Sequence, residues 1–327
     1  MLQPSIVENL DSDQLYNNRK KQQNTTSLYE QNHGLTFIDL FAGIGGFHLA
    51  LHNLNSHCVF ASEIDTHARN TYQANFNKRA PNLFTKNLFN EDITKIPVNH
   101  IPNFDILCAG FPCQPFSQAG LKLGFADTLN GNRGNLFFNI AAIINTKQPK
   151  SFILENVRHL MNHDEGKTFD MIKRTIASLG YSCYYQILKA SDYGVPQHRP
   201  RIFIVGFKND ILHRFQFPTP VPLVTTMSHI LQGECNKDIG FTLRVGGKGS
   251  KIDDRRNWEH YYVNDKIVKI EVSHAKQMQG FPSDYLFPVS QTQAMKQLGN
   301  SVAIPVVQAV ATQVINYILR LKNRDNT

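Results

Sequence analysis

Leu35-Thr36-Phe37-Ile38-Asp39-Leu40-Phe41-Ala42-Gly43-Ile44-Gly45-Gly46 starts as an apolar run carrying one acid and ends as a glycine-rich turn. Leu35 to Leu40 predicts a strand and Phe47 to Leu54 a helix, so the stretch reads as strand, glycine loop, helix. Glycines at such a turn let the backbone come close to a ligand, which is how many α/β folds open. An acid about twenty positions further on, at a second strand end, can grip a ribose. Glu63 stands there. The loop lacks the fuller Gly-x-Gly-x-x-Gly of nicotinamide dinucleotide sites, and a tight structural turn is the alternative.

Working outward, Phe104 to Ala109 predicts another strand, and it runs into Gly110-Phe111-Pro112-Cys113-Gln114-Pro115-Phe116-Ser117-Gln118. A glycine before Cys113 and a proline on each side of it suit a rigid loop at the carboxyl end of a strand, where open α/β sheets bind ligands. Cys113 is therefore a candidate nucleophile; a buried cysteine closing a turn is the bland alternative. Lys150 to Val157 predicts the next strand, with Glu155 at its carboxyl end. Alone, that acid reads equally as a helix cap or ion-pair partner. Two consecutive parallel strands would nevertheless deliver Cys113 and Glu155 to one edge of the sheet. Tyr181 to Leu188 and Arg201 to Phe207 then alternate apolar residues around Asp192 to Arg201, which predicts a long hairpin at the sheet edge. Arg199 and Arg201 are either a solvated charge cluster or a site pair whose relative direction Pro200 fixes. Asp65 can cap a helix through about Phe76, and helices are predicted over Leu136 to Thr146 and Thr168 to Leu179.

The chain has 327 residues, enough for one large α/β domain and a smaller appendage. Lys and Arg exceed Asp and Glu by 34 to 26, a formal charge of +8, which suits a polyanionic partner. Five cysteines with no paired metal spacing predict neither a disulfide frame nor a zinc site, and a reducing compartment. Residues 1–33 are rich in amides and poor in large apolar side chains, which predicts a flexible arm with no secretory signal, and a cytoplasmic protein. Val302 to Leu319 is apolar but interrupted by Gln308, Thr312, Gln313 and Asn316, so it reads as a packing helix and not a membrane span. From about Lys208 to Ile270 the strand-helix alternation stops. This predicts a second domain whose glycines, arginines and lysines could face a nucleic acid; a glycine-rich hairpin with a charged face is the alternative.

These motifs, in this order from about Leu35 to Leu319, resemble the cytosine-5 DNA methyltransferases of bacterial restriction-modification systems. The resemblance implies an α/β fold of the Rossmann-like, AdoMet-dependent methyltransferase kind: a mostly parallel sheet with one reversed edge strand, plus a small target-recognition domain. The implied division is an arm over 1–33, a catalytic domain over 34–207, a recognition domain over 208–290 and a return to the catalytic domain over 291–327. Phe-x-Gly-x-Gly-Gly is similar to the motif that binds S-adenosyl-L-methionine, through Phe41, Gly43 and Gly45, and Glu63-Ile64 to the second motif, with Ile64 where an aromatic residue is common. Asp92-Ile93 resembles the third, in which Asp92 would accept a hydrogen bond from the adenine amino group; Glu91 stands where a glycine is commoner. Pro112, Leu136, Asn300 and Ser301 complete the implied cofactor set.

Pro112-Cys113 resembles the catalytic motif, Glu155-Asn156-Val157 the next, and Gln197-His198-Arg199-Pro200-Arg201 the family's Gln-Arg-Arg series. The resemblance implies that Cys113 adds to carbon 6 of a flipped-out cytosine. Glu155 would serve ring nitrogen 3, Arg201 the oxygen on carbon 2, and Arg199 would support them. Double-stranded DNA is the implied partner, touched by Ser117 and Arg133 and read by Arg244, Lys248 and Arg256. Gly120 to Arg133 would be a mobile lid; its Asp127 and Arg133-Gly134 are split by an apparent insertion. Ser273 and His274 stand where an Arg-Glu pair is common. The expected enzyme is a monomer needing no metal, with S-adenosyl-L-homocysteine as its product. The rivals are an RNA cytosine methyltransferase on the same fold, a catalytically silent DNA-binding relative, and a Rossmann oxidoreductase, for which a hydride-transfer constellation is lacking.

Overall fold

The computed structural model describes residues 34–112, 136–246, 249–254 and 256–325. Leu35–Thr327 makes one compact unit; of the other unit, Met1–Gly34, only Gly34 is among the described residues, so the predicted arm lies outside them. Cys113, Ser117, Arg133, Lys248 and the predicted lid also lie outside them.

The first half runs β1 (Thr36–Leu40), α1 (Gly46–His52), β2 (His57–Ser62), α2 (Thr66–Phe76), α3 (Pro81–Thr85), β3 (Phe89–Asn90), β4 (Ile106–Gly110), α4 (Leu136–Lys147) and β5 (Ser151–Val157). The second half runs α5 (Lys167–Ser178), β6 (Tyr184–Lys189), β7 (Pro200–Phe207), α6 (Met227–Leu231), β8 (His260–Val263), β9 (Lys266–Lys269), α7 (Val272–Gln279), α8 (Gln291–Asn300) and α9 (Ile304–Asp325). Asp65 caps α2 by accepting the Ala68 N–H at 3.0 Å, as its place in the sequence predicts.

Seven strands form one sheet in the order β3-β2-β1-β4-β5-β7-β6. The neighbours from β3 to β5 pair in parallel, whereas β7 is antiparallel to both β5 and β6. One strand is indeed reversed, but it is one place in from the edge. The chain leaves β5 through α5, lays β6 at the rim parallel to β5, and folds back so that β7 fills the gap. Alternating apolar runs announce a hairpin and do not say which arm lies inside.

Because helices cover both faces, the central strands are buried on both sides and read as nearly unbroken apolar runs. Leu40, Leu107, Leu154 and Ile204 share one cluster with Phe137 and Ile140 of α4 and Ile172 and Ile176 of α5. On the other face the Phe207 ring lies 4.5 Å from Tyr317 of α9. The apolar stretch ending in α9 is long enough to cross a bilayer, yet 67% of its most apolar window is buried inside the protein, so it is a core helix. A separate two-stranded sheet, β8-β9, turns through Asn264 and Asp265, both with positive φ (47° and 60°).

Candidate active site

The glycine loop closes the carboxyl end of β1. Phe41 (φ 55°), Gly43 (φ 56°) and Gly45 (φ 83°) all take left-handed backbone, and for phenylalanine that is a strained conformation of the kind found at ligand sites. The two glycines differ. A Cβ on Gly45 would stand 2.2 Å from the Phe76 ring, so the loop sits directly on α2, whereas a Cβ on Gly43 would meet nothing within 4 Å. The open side of Gly43 faces a cleft of about 620 Å³ lined by Phe41, Glu63, Ile64, Asp92, Leu136 and Ser301 among others.

Glu63 reaches across from the end of β2. Its Oε2 accepts the Gly43 N–H (2.7 Å) and its Oε1 the Asp65 N–H (2.8 Å), so it anchors the loop it faces. Burial raises its carboxyl pKa, with those backbone N–H groups opposing. An ionised carboxylate has about four acceptor positions, so Glu63 can still take two hydroxyls. Asp92 accepts the Thr94 N–H and hydroxyl through Oδ1 (3.0 and 2.6 Å), and Lys95 lies 3.5 Å from Oδ2. The Thr94 hydroxyl is the chief cause of its lowered pKa. Glu91, unusual at its position, is paired with Arg69 at 2.8 Å. Ile64 is 64% exposed and lines the cleft, an apolar face of the sort a planar ring would cover. The donor set fits S-adenosyl-L-methionine: a cradle without Cβ at Gly43, carboxylates for a vicinal diol and an exocyclic amine, and Phe41, Ile64, Ile93 and Leu136 for the adenine. Among the described residues no group of three His, Cys, Asp or Glu side chains could hold a metal ion.

The same cleft holds the second half of the site. Gly110 and Glu155 are register partners at the carboxyl ends of β4 and β5. Asn156 ties the following loop down by donating to the Phe111 carbonyl at 2.8 Å. Residue 112, the last one described before Cys113, lines the cleft beside Glu155. Because β7 is reversed, its first residues and not its last lie at this edge, and the Arg201 Nε comes within 3.1 Å of Glu155 Oε1. Burial raises the Glu155 carboxyl pKa, while Arg201 and then Arg199 pull it back. A buried carboxyl that binds a proton readily, held by a guanidinium, can donate to a ring nitrogen and hold an amine.

Arg199 is 3% exposed and touches neither carboxylate. Its Nη1 donates to the Leu243 carbonyl (2.9 Å) and its Nη2 to the carbonyls of Gly299 (3.0 Å) and Ser301. One guanidinium thus joins the sheet, the segment carrying Arg244 and the turn carrying Asn300 and Ser301. Gln197 works beside it, donating to the Met278 carbonyl (2.9 Å) and accepting the Leu243 N–H (3.0 Å). The pattern Gln-x-Arg-x-Arg flagged this series without showing that two of its members hold backbone.

Arg244 and Arg256 stand together, and the Arg244 backbone packs against Gly299, which lines the cleft. Arg256 forks onto Asp254 (2.7 Å for the closest contact), and the Arg244 Nη2 donates to the Arg256 carbonyl. Sequence reasoning missed a buried group behind the glycine loop. Asp39 accepts the His48 N–H at 3.3 Å, its Oδ1 has no partner among the described residues, and the His48 ring pairs with the Tyr72 hydroxyl at 2.6 Å. Burial drives Asp39 well above and His48 well below its ordinary pKa. The acid in the middle of an apolar strand was the signal.

A family model described as C-5 cytosine-specific DNA methylase matches residues 35–244 and 234–316. The chain is 42% identical over 316 residues to Type II methyltransferase M.SsoII of Shigella sonnei, covering 85% of this chain and 79% of that one. It is 36% identical over 321 residues to Type II methyltransferase M.HhaI of Haemophilus parahaemolyticus, covering 86% and 94%. Among solved structures, Dnmt2 of S. pombe superposes with a TM-score of 0.66 at 18% identity, over 88% of this chain and 99% of that one, a likeness of fold.

Proposed function

The chain belongs to the C-5 cytosine-specific DNA methylase family, and from that premise we propose how its residues divide the work. The pairing of Glu155 with Arg201 at 3.1 Å, in the same cleft that the glycine loop lines, carries the proposal. Carbon 5 of cytosine is too electron-poor to be methylated directly. Cys113 adds to carbon 6, Glu155 delivers a proton to ring nitrogen 3 and holds the exocyclic amine, and Arg201 stabilises the oxygen on carbon 2. S-adenosyl-L-methionine, held by Phe41, Gly43, Glu63, Ile64, Asp92 and Ser301, supplies the electrophilic methyl carbon. Loss of the proton from carbon 5, with return of the nitrogen 3 proton to Glu155, then lets the Cys113 sulfur leave as a thiolate.

Neither face of cytosine is accessible inside a duplex, so the base must be flipped out, at a cost of a few kcal/mol. Residues 208–290 act as the recognition domain, with Arg244, Lys248 and Arg256 toward the DNA, and residues 34–207 and 291–327 as the catalytic domain. The relatives' type II designation supports an enzyme that protects DNA from a cognate endonuclease; a cytoplasmic monomer is part of the same reading.

The test is a trap. On duplex DNA carrying 5-fluorocytosine, the adduct cannot lose fluorine as it would lose a proton. A denaturation-resistant complex should accumulate with S-adenosyl-L-methionine, map to the peptide holding Cys113, and be absent in Cys113→Ala. A trap that persists in Cys113→Ala would overturn the assignment of the nucleophile. A trap formed on transfer RNA and never on duplex DNA would move the substrate to RNA.

A further inference from the structure

The glycine loop is held from outside by a residue that none of the motifs contains. Tyr285, in the connection between α7 and α8, donates its hydroxyl hydrogen bond to the carbonyl of Ile44. Ile44 lies between Gly43 and Gly45 and lines the cofactor cleft. The peptide joining Ile44 to Gly45 is thereby fixed at both ends, because the Gly45 N–H donates to the Ala42 carbonyl at 2.8 Å. The Ile44 N–H, which belongs to the preceding peptide, has no hydrogen-bond partner among the described residues.

Tyr285 is itself firmly seated. It is 5% exposed, and its ring packs 4.7 Å from Phe281 and 6.4 Å from Phe76, the residue on which Gly45 rests. The next residue is locked by a reciprocal pair: the Leu286 N–H donates to Asn75 Oδ1 (2.8 Å) and Asn75 Nδ2 donates to the Leu286 carbonyl (2.9 Å). Burial holds the phenol far above its ordinary pKa, so it remains a donor.

Turning the peptide between Ile44 and Gly45 over changes ψ of Ile44 and φ of Gly45, and glycine, having no Cβ, admits the change in φ readily. The turned form would take the Ile44 carbonyl from Tyr285, and because Ile44 lines the cleft, an acceptor turned that way would repel an anionic group of a bound ligand. We propose that Tyr285 is a positioning residue for S-adenosyl-L-methionine, selecting the loop conformation in which the Ile44 carbonyl is held away from the cofactor. The inference rests on the cofactor assignment made above. It assigns to the chain beyond α7 a share in cofactor affinity that no contact with the cofactor is needed to explain. Losing the clip lowers the fraction of binding-competent loop, and the apparent dissociation constant rises by the inverse of that fraction.

The experiment uses the full chain and S-adenosyl-L-homocysteine, so that no turnover is required. Titration calorimetry on Tyr285→Phe, which keeps the ring and removes only the hydroxyl, should show affinity weakened about tenfold, the size expected for one buried hydrogen bond. Hydrogen exchange in the free protein should be faster in the peptide spanning residues 41–47. Asn75→Ala, which frees the Leu286 backbone, should weaken binding in the same direction and by less. Unchanged affinity in Tyr285→Phe, even with a lower melting temperature, would overturn the positioning role and leave a purely structural one. If the wild-type chain fails to bind S-adenosyl-L-homocysteine, the cofactor assignment itself falls, and Tyr285 with it.

Discussion

Arg201 and Glu155 face each other at 3.1 Å across two strands of opposite direction, and the reversal of β7 brings them together. A parallel β7 would put its last residues at the ligand edge, and Arg201 would lie at the far end of the sheet. The pair predicts a particular kinetic phenotype. Glu155→Gln keeps a hydrogen-bond partner for the amine but cannot supply the proton, so kcat should fall by roughly 10²- to 10⁴-fold. DNA and cofactor affinity should change little. A variant that loses binding and rate together would make Glu155 a binding group instead.

The two glycines of the loop should fail differently. In Gly43→Ala the methyl enters open cleft, so the cost to stability is the left-handed backbone alone, about 1–2 kcal/mol, while cofactor binding suffers. In Gly45→Ala the same strain is joined by a Cβ placed 2.2 Å from the Phe76 ring, so unfolding should begin at clearly lower denaturant. Urea midpoints beside calorimetric affinities separate the two; equal midpoints would contradict the asymmetry.

Arg199→Ala should destabilise by about 3 kcal/mol or more, since three carbonyls from two distant segments lose a charged donor at once. Arg199→Lys keeps the charge but has no fork to reach all three, and its urea midpoint should fall between those of wild type and alanine.

Asp39 gives a stability change with a definite sign. Its folded pKa is raised well above 3.8, chiefly by burial, so the buried neutral acid contributes stability that is complete below about pH 3.8. That contribution is lost as pH rises toward and through the folded value. Asp39→Asn cannot ionise, so its melting temperature relative to wild type should climb as pH rises above about 4 and level off once the folded value is passed. A constant difference above about pH 4 would show that Asp39 ionises in the folded chain at its ordinary pKa, so that burial does not shift it.

Where each element carried its own signal, the sequence was enough. The strand, glycine loop and helix from Leu35 onward, the Asp65 cap and the parallel pairing of the strand before the cysteine loop with the strand holding Glu155 followed from apolar period, turn residues and the geometry of parallel strands. What stayed hidden depended on partners far away in the chain. Arg199 gives no sign in its neighbourhood that it will meet Leu243, Gly299 and Ser301. Tyr285 looks like any loop aromatic, and the inner position of β7 depends on which arm of a hairpin reaches the sheet last. Arg244 and Arg256 were picked out as charges, and the structure adds that each is already engaged by residues nearby.

The hydrogen bond from Tyr285 to Ile44 joins residues 241 positions apart. On a ribosome the loop emerges early and its clip only near the end of synthesis, followed by α8 and α9. Domains fold from the amino terminus as they appear, and contacts of long sequence separation form late. A nascent chain halted before Tyr285 is therefore expected to retain its early strands without a competent cofactor loop. If Tyr285 positions the loop as proposed, newly made enzyme is expected to acquire its methyl donor only after translation has nearly ended, and a truncated product to remain inert toward the cell's DNA.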